Sequence, residues 1–232
     1  MSGWEKPLCA RPFFWEMVWR RSVRAGEAAG QWLADALRRQ PWVAERLAFF
    51  QAWRADPRTI GAIAPSSARL ARAMTRHVRP GKGSVIELGA GTGVFTRALV
   101  ARGVRPDDLT LVETDPQFVQ RLRHEFPGAH VLAMDASRLA GFSDLDSRAA
   151  AVAICGIPLL NLPLKTRIGI LRGTFTHLQA AGAFYFFTYG LHCPIPQRVL
   201  DHLRLRATKQ DVVLANVPPA HVWCVTRRGG RN

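Results

Sequence analysis

The stretch Val85-Ile86-Glu87-Leu88-Gly89-Ala90-Gly91-Thr92-Gly93 decides the fold of this chain. An apolar run suited to a buried strand carries one acid, passes through three alternate glycines and continues into a helical stretch, Thr92 to Arg102. Glycines at such a junction allow a tight turn and a close approach of backbone to ligand. The spacing is GxGxG. A dinucleotide loop of the GxGxxG form would need glycine at 94, where Val94 stands, and no Lys-Ser or Lys-Thr follows to make a nucleotide-triphosphate loop.

Acids at successive strand ends sharpen the reading. Glu87, just before the turn, would repel a pyrophosphate but attracts a cationic amino group. Glu113 lies about 20 residues beyond the glycines, at the end of the next strand, where an acid accepts hydrogen bonds from both hydroxyls of a ribose. Asp135, in Met134-Asp135-Ala136 after the third strand, is placed with Ala136 to meet an adenine edge. An amino acid cation, a ribose and an adenine together describe S-adenosyl-L-methionine, with S-adenosyl-L-homocysteine as the product. The expected cofactor residues are Glu87, Gly89, Gly91, Gly93, Glu113, Asp135 and Ala136.

Outward from the loop, strands and helices alternate. Strands are expected at Ser84 to Leu88, Leu109 to Glu113, His130 to Ala133, Ala149 to Ile154 and Ala183 to Tyr189, with helices at Ser66 to His77, Thr92 to Arg102, Pro116 to Glu125 and Leu164 to Leu178. Such alternation predicts a parallel sheet covered on both faces. Lys209 to Ala215 and Ala220 to Arg227 are two extended runs joined by so short a link that they form an antiparallel pair. The fold class is therefore α/β, a Rossmann-like seven-stranded sheet of class I methyltransferase type with a C-terminal antiparallel strand.

Residues 1–55 read as an N-terminal helical extension to a domain at 56–232. Trp15 and Trp19 share one apolar helical face, while Arg20, Arg21 and Arg24 lie on a basic polar face. With 48% hydrophobic residues the chain is not disordered, and it has no uninterrupted apolar run of about 18 residues to span a membrane. The first residues lack the apolar core of a secretory leader, so a cytoplasmic location is expected. Cys9, Cys155, Cys193 and Cys224 are too dispersed for a metal-ligand spacing, and no metal is expected. The net charge of +15 calls for a polyanionic partner, a nucleic acid or an anionic membrane.

The fourth strand ends in Cys155-Gly156-Ile157-Pro158-Leu159-Leu160-Asn161-Leu162-Pro163. Many amino methyltransferases carry there an Asn or Asp, then Pro-Pro or Leu-Pro, then an aromatic, which hydrogen-bonds an exocyclic amine and stacks its base. Gly156 stands at the amide position and Leu159 at the aromatic one, so a nucleobase loses its acceptor and its platform. Nucleic-acid methylation is disfavoured on that ground, although the basic charge keeps it open.

From about Phe49 to Arg227 the sequence resembles the soluble bacterial phospholipid N-methyltransferases. The resemblance rests on Gly61-Ala62-Ile63-Ala64-Pro65-Ser66-Ser67, Glu87 to Gly93, Gly156-Ile157-Pro158-Leu159-Leu160-Asn161, Phe187-Thr188-Tyr189-Gly190 and Asn216-Val217-Pro218-Pro219-Ala220-His221-Val222-Trp223. It implies methylation of phosphatidylethanolamine and its mono- and dimethyl derivatives towards phosphatidylcholine, by a protein peripheral to the inner face of the cytoplasmic membrane. Another aminolipid such as an ornithine lipid, or RNA adenine N6-methylation of the ribosomal RNA dimethyltransferase type, are the alternatives.

In that chemistry a neutral amine attacks the sulfonium's methyl carbon and displaces S-adenosyl-L-homocysteine, so the protein must align the partners and receive one proton. Tyr189, Asn161 and His192 are the expected catalytic group, Tyr189 by its hydroxyl or by cation-π attraction, with His221 a further proton acceptor. Arg58, Lys165 and Arg167 are the cations for a lipid phosphate, and Pro158 and Leu159 the apolar contacts. The N-terminal helix would lie in the headgroup plane of an anionic membrane, with its arginines on lipid and its indoles in the interface.

Overall fold

The computed structural model describes residues 65–143, 149–214 and 219–229. The chain divides into Met1–Pro57 and Arg58–Asn232, and the described residues belong to the second unit. The expectations for Trp15, Trp19, Arg20, Arg21, Arg24 and Arg58 lie outside the described residues.

Helix α1 (Pro65–Thr75) precedes β1 (Val85–Leu88), whose four residues are all buried. There follow α2 (Val94–Ala101), β2 (Leu109–Glu113), α3 (Pro116–Glu125), β3 (His130–Ala133), β4 (Ala150–Cys155), α4 (Leu164–His177), β5 (Leu178–Thr188), α5 (Gln197–His202), β6 (Leu205–Val213) and β7 (Ala220–Arg227). Short 3-10 turns stand at Pro106–Asp108, Ala136–Gly141 and Leu159–Asn161. The seven strands form one sheet in the order β3-β2-β1-β4-β5-β7-β6. The first five pair in parallel and β7 is antiparallel to both neighbours, as the class I methyltransferase architecture requires.

This order places the ends of β1 and β4 side by side, with Leu88 opposite Cys155. A crevice outside the carboxyl ends of strands, where the order reverses, is where open α/β sheets bind ligands. The acid of β1, the acid of β2 and the segment after β4 are therefore brought to one edge. Beneath them one face of the sheet packs Leu88, Ala153, Phe184 and Phe186 against Ile170 and Leu171 of α4 and Leu200 of α5.

Besides shifts of one or two residues at several element ends, three larger differences from the sequence reading stand out. Helix α4 passes into β5 without a loop, because the Arg227 guanidinium takes over the capping that a loop would supply. It donates to the carbonyls of Phe175, Leu178 (3.2 Å) and Gln179 (2.6 Å) and lies 5.2 Å over the Phe175 ring. Strand β6 begins at Leu205 rather than at Lys209. Its position at the sheet edge, with mostly exposed polar residues, weakens the alternation that periodicity depends on. Helix α5 is too short to have declared itself in the pattern.

Candidate cofactor and acceptor site

All three loop glycines adopt positive φ, Gly89 at 68°, Gly91 at 52° and Gly93 at 78°, a region closed to most side chains. They differ in what surrounds them. A Cβ on Gly89 would meet Ile157 Cγ1 at 2.5 Å and one on Gly93 would meet Phe126 at 3.0 Å, whereas one on Gly91 would meet only the Gly89 carbonyl, at 4.0 Å. Gly91 thus leaves its outer side to a ligand. The Gly91 amide donates to Glu113 Oε2 at 2.8 Å, and Glu113 Oε1 accepts from the amides of Thr114 (2.8 Å) and Asp115 (3.0 Å).

Glu87 is fully buried. Its Oε2 accepts from Thr96 Oγ1 at 2.7 Å, while Oε1 has no hydrogen-bond partner. Burial dominates its titration and pushes the carboxyl up to about 8, against lesser opposing effects of the Thr96 hydroxyl and the Arg97 charge. A buried acceptor with an unused oxygen is what a cationic amino group would satisfy. Asp135 is exposed and caps the 3-10 turn Ala136–Gly141, its Oδ1 accepting from Ser137 N at 2.7 Å, while Ala136 is buried behind it.

On the acceptor side, Gly156 donates its amide to Leu88 O at 2.8 Å. A Cβ there would meet the Gly89 carbonyl at 2.8 Å and Phe95 Cε2 at 3.3 Å, so only glycine fits between the two crossing backbones. Phe95, from the first turn of α2, stands edge-on to Phe187 of β5 at 6.2 Å, and Phe187 stands edge-on to Tyr189 at 5.6 Å. An aromatic series therefore leads from the glycine loop to the half-exposed Tyr189 ring.

An ornithine lipid N-methyltransferase of Singulisphaera acidiphila is 32% identical to this chain over 134 residues, covering 54% of this chain and 68% of that enzyme. This chain belongs to that enzyme's family. It is a class I S-adenosylmethionine-dependent methyltransferase. No protein-family profile matches it. Solved structures share the fold at low identity. The 1,6-didemethyltoxoflavin-N1-methyltransferase of Burkholderia thailandensis, with S-adenosylhomocysteine bound, superposes with a TM-score of 0.59 at 16% identity, covering 81% of this chain and 89% of that one. The glycopeptide N-methyltransferase MtfA, complexed with S-adenosyl-L-methionine, gives 0.55 at 13%, covering 72% of this chain and 100% of that one. TrmN from Thermus thermophilus gives 0.54 at 17%, covering 70% of this chain, which spans about half, 52%, of the TrmN chain.

The site of the methyltransferase fits S-adenosylmethionine on its own geometry: the open side of Gly91, the Glu113 carboxylate at the β2 end and the unpartnered buried oxygen of Glu87. When bound, that cofactor supplies an electrophilic methyl on sulfur. Of the residues expected on the acceptor side, Tyr189 sits at the β5 end, and Asn161 and His192 are exposed on the segments after β4 and β5. Lys165 is exposed in the first turn of α4, and Pro158 precedes the Leu159–Asn161 turn.

Two expectations are corrected. Leu159 does not face the acceptor, because the 3-10 turn rotates it into the core at 1% exposure and sends Leu160 outward at 50%. The Arg167 guanidinium is turned into the molecule, with one terminal nitrogen donating to the Pro194 carbonyl and a buried Nε without a partner, so it fastens the loop after β5 instead of standing open to a phosphate. His221 is likewise buried, and burial first, then the Lys209 charge, favour its neutral ring. The sequence reading passed over Thr96 and Phe95. A hydroxyl and an aromatic just inside the helix that follows the glycines were the available signals.

Proposed function

We propose that this methyltransferase transfers methyl groups from S-adenosylmethionine to the amine of a membrane aminolipid, phosphatidylethanolamine and its mono- and dimethyl derivatives, yielding phosphatidylcholine. The observation that carries the reading is the closed space at Gly156, where a base-clamping Asn or Asp side chain would run into the Gly89 carbonyl. An acceptor that needs no such clamp is a flexible amine. The series Phe95, Phe187 and Tyr189 supports it, because aromatic faces attract the cation that grows more apolar with each added methyl. Tyr189 orients the amine, and the released proton passes to His192 or to water at the exposed rim.

The resemblance to the lipid-methylating relative supports an aminolipid without choosing its headgroup, and an ornithine lipid is supported equally. The protein works at the inner face of the cytoplasmic membrane in this reading, its anionic surface matching the net charge of +15. No helix among the described residues is long and apolar enough to cross a membrane.

The test is transfer of labelled methyl to vesicles containing phosphatidylethanolamine, to vesicles containing ornithine lipid, and to total RNA, in parallel. Label in successive methylated forms of phosphatidylethanolamine supports the proposal. Label in ornithine lipid alone moves the acceptor to that lipid, and label in RNA alone overturns the aminolipid reading.

A further inference from the structure

Large apolar side chains left exposed by the described residues are Leu160, Tyr189, Leu191, Val212 and Leu214, with Leu191 at 69% and Leu214 at 75%. Scattered singly they would need no account, but all of them lie on one edge. Leu160 follows β4, Tyr189 and Leu191 follow β5, and Val212 and Leu214 stand at the end of β6, whose partner β7 starts beside the end of β5 with His221 opposite Thr188. They therefore lie at the ends of β4, β5 and β6, with the start of β7 between the last two, along the acceptor half of the reaction edge.

The segment that carries Leu191 is fastened at both ends, so the side chain does not simply fold inward. The Gly190 amide donates to Thr188 Oγ1 at 3.0 Å, Arg167 holds the Pro194 carbonyl, and Ile195 is buried at 2%. Leu160 is projected by a turn whose neighbouring Leu159 is anchored in the core. Exposed cations stand at the starts of the helices that follow two of these leucines along the chain, Lys165 in α4 after Leu160 and Arg198 in α5 after Leu191, in a chain of net charge +15. Apolar side chains flanked by cations suit the boundary between headgroups and acyl chains of an anionic bilayer.

We propose that this rim, led by Leu191 and Leu214, inserts into an anionic lipid surface, independently of the N-terminal segment, and sets the acceptor edge of the site at the depth of the lipid amines. The inference rests on the aminolipid reading for its purpose but is tested apart from it. The full-length chain is sedimented with phosphatidylglycerol vesicles, as parent and as the double variant Leu191→Ser with Leu214→Ser, each checked for an unchanged thermal transition. A loss of roughly tenfold or more in partitioning is expected from withdrawing two leucines from an apolar boundary. Hydrogen–deuterium exchange of the parent should show residues 189–196 and 212–214 slowed when vesicles are added.

Partitioning unchanged in the variant, or these residues equally accessible with and without vesicles, would overturn the proposal. So would their protection before any vesicle is present, which would mean that the chain itself covers the rim. A rim that inserts in a protein that methylates no aminolipid removes the proposed function and leaves this inference intact. Methylation of detergent-dispersed aminolipid by a protein whose rim never becomes protected does the reverse.

Discussion

The Gly91 amide and the Glu113 carboxylate, 22 residues apart in sequence, meet at 2.8 Å, so one hydrogen bond ties the glycine loop to the acid expected to hold the ribose. Glu113→Ala removes that acceptor along with those for the Thr114 and Asp115 amides. Charge-assisted bonds of this kind contribute about 1.5–3 kcal/mol each. Titration calorimetry with S-adenosylhomocysteine should show affinity lowered by about a hundredfold or more, with a lower thermal transition even without ligand. Unchanged affinity would exclude Glu113 from the cofactor site.

Glu87 gives the protein a pH dependence of unusual sign for a carboxylate. Its folded-state value near 8 lies above the ordinary 4.5, so between these limits the folded chain keeps a proton that the unfolded chain has released. Stability therefore falls as pH rises through that window and levels off above it. Glu87→Gln should flatten this slope and be the more stable protein at pH 8, by on the order of a few kcal/mol. Cofactor binding should run the other way. A cationic amino group beside Glu87 favours the carboxylate, so affinity for S-adenosylmethionine rises from pH 6 to 8 in the parent and loses that rise in Glu87→Gln. Denaturation and calorimetry across this range check both signs.

Gly156→Asn introduces the amide side chain that many amino methyltransferases carry after this strand, and it should fail. Its Cβ would fall 2.8 Å from the Gly89 carbonyl, forcing apart the ends of β1 and β4. Overpacking of this kind costs about 1–3 kcal/mol. Chemical denaturation should register that loss, cofactor affinity should drop, and no RNA methylation should appear.

Tyr189→Phe and Phe95→Ala separate orientation from surface. Loss of the Tyr189 hydroxyl should lower kcat with cofactor affinity preserved. Loss of the Phe95 ring, which buttresses Phe187, should raise the KM for the aminolipid by about five- to tenfold, the scale of one exposed cation-π contact together with lost packing. Steady-state assays on vesicles distinguish the two, and full activity in both would place the acceptor elsewhere.

Arg167→Ala releases the Pro194 carbonyl and so the loop that carries Leu191. Turnover should fall while the cofactor still binds, and limited proteolysis should cut within residues 189–196 sooner than in the parent. An unaltered digestion pattern would mean that the loop holds without the guanidinium.

The sequence carried the donor half of the site better than the acceptor half, for a physical reason. Strands β1 and β2 are short buried runs with Gly89 and Glu113 at their ends, and β3 is a short run just before Asp135, so β2, β3, α3 and β7 appear within the bounds that composition suggests. What those acids touch is a tertiary matter. The Thr96 hydroxyl on Glu87 comes from the helix after the glycines and the Gly91 amide on Glu113 from the loop itself, and periodicity does not say which atoms they meet. On the acceptor side, the inversion of Leu159 and Leu160 depends on a single 3-10 turn, and the inward aim of Arg167 on the carbonyl of a residue 27 positions away. Spacing named the right segments there but not which side chains face outward.

Because β7 runs opposite to β5, β6 ends and β7 begins at the working edge instead of at the far end. Two strands remote from the glycine loop thereby add a rim segment beside the ends of β4 and β5. The seam between β1 and β4, where a Cβ on Gly156 would meet the Gly89 carbonyl, separates the half that fits the methyl donor from the half proposed to present the amine. In the proposed reading, exchange of strands β6 and β7 with those of a relative would alter which amine is presented while leaving the glycine loop untouched.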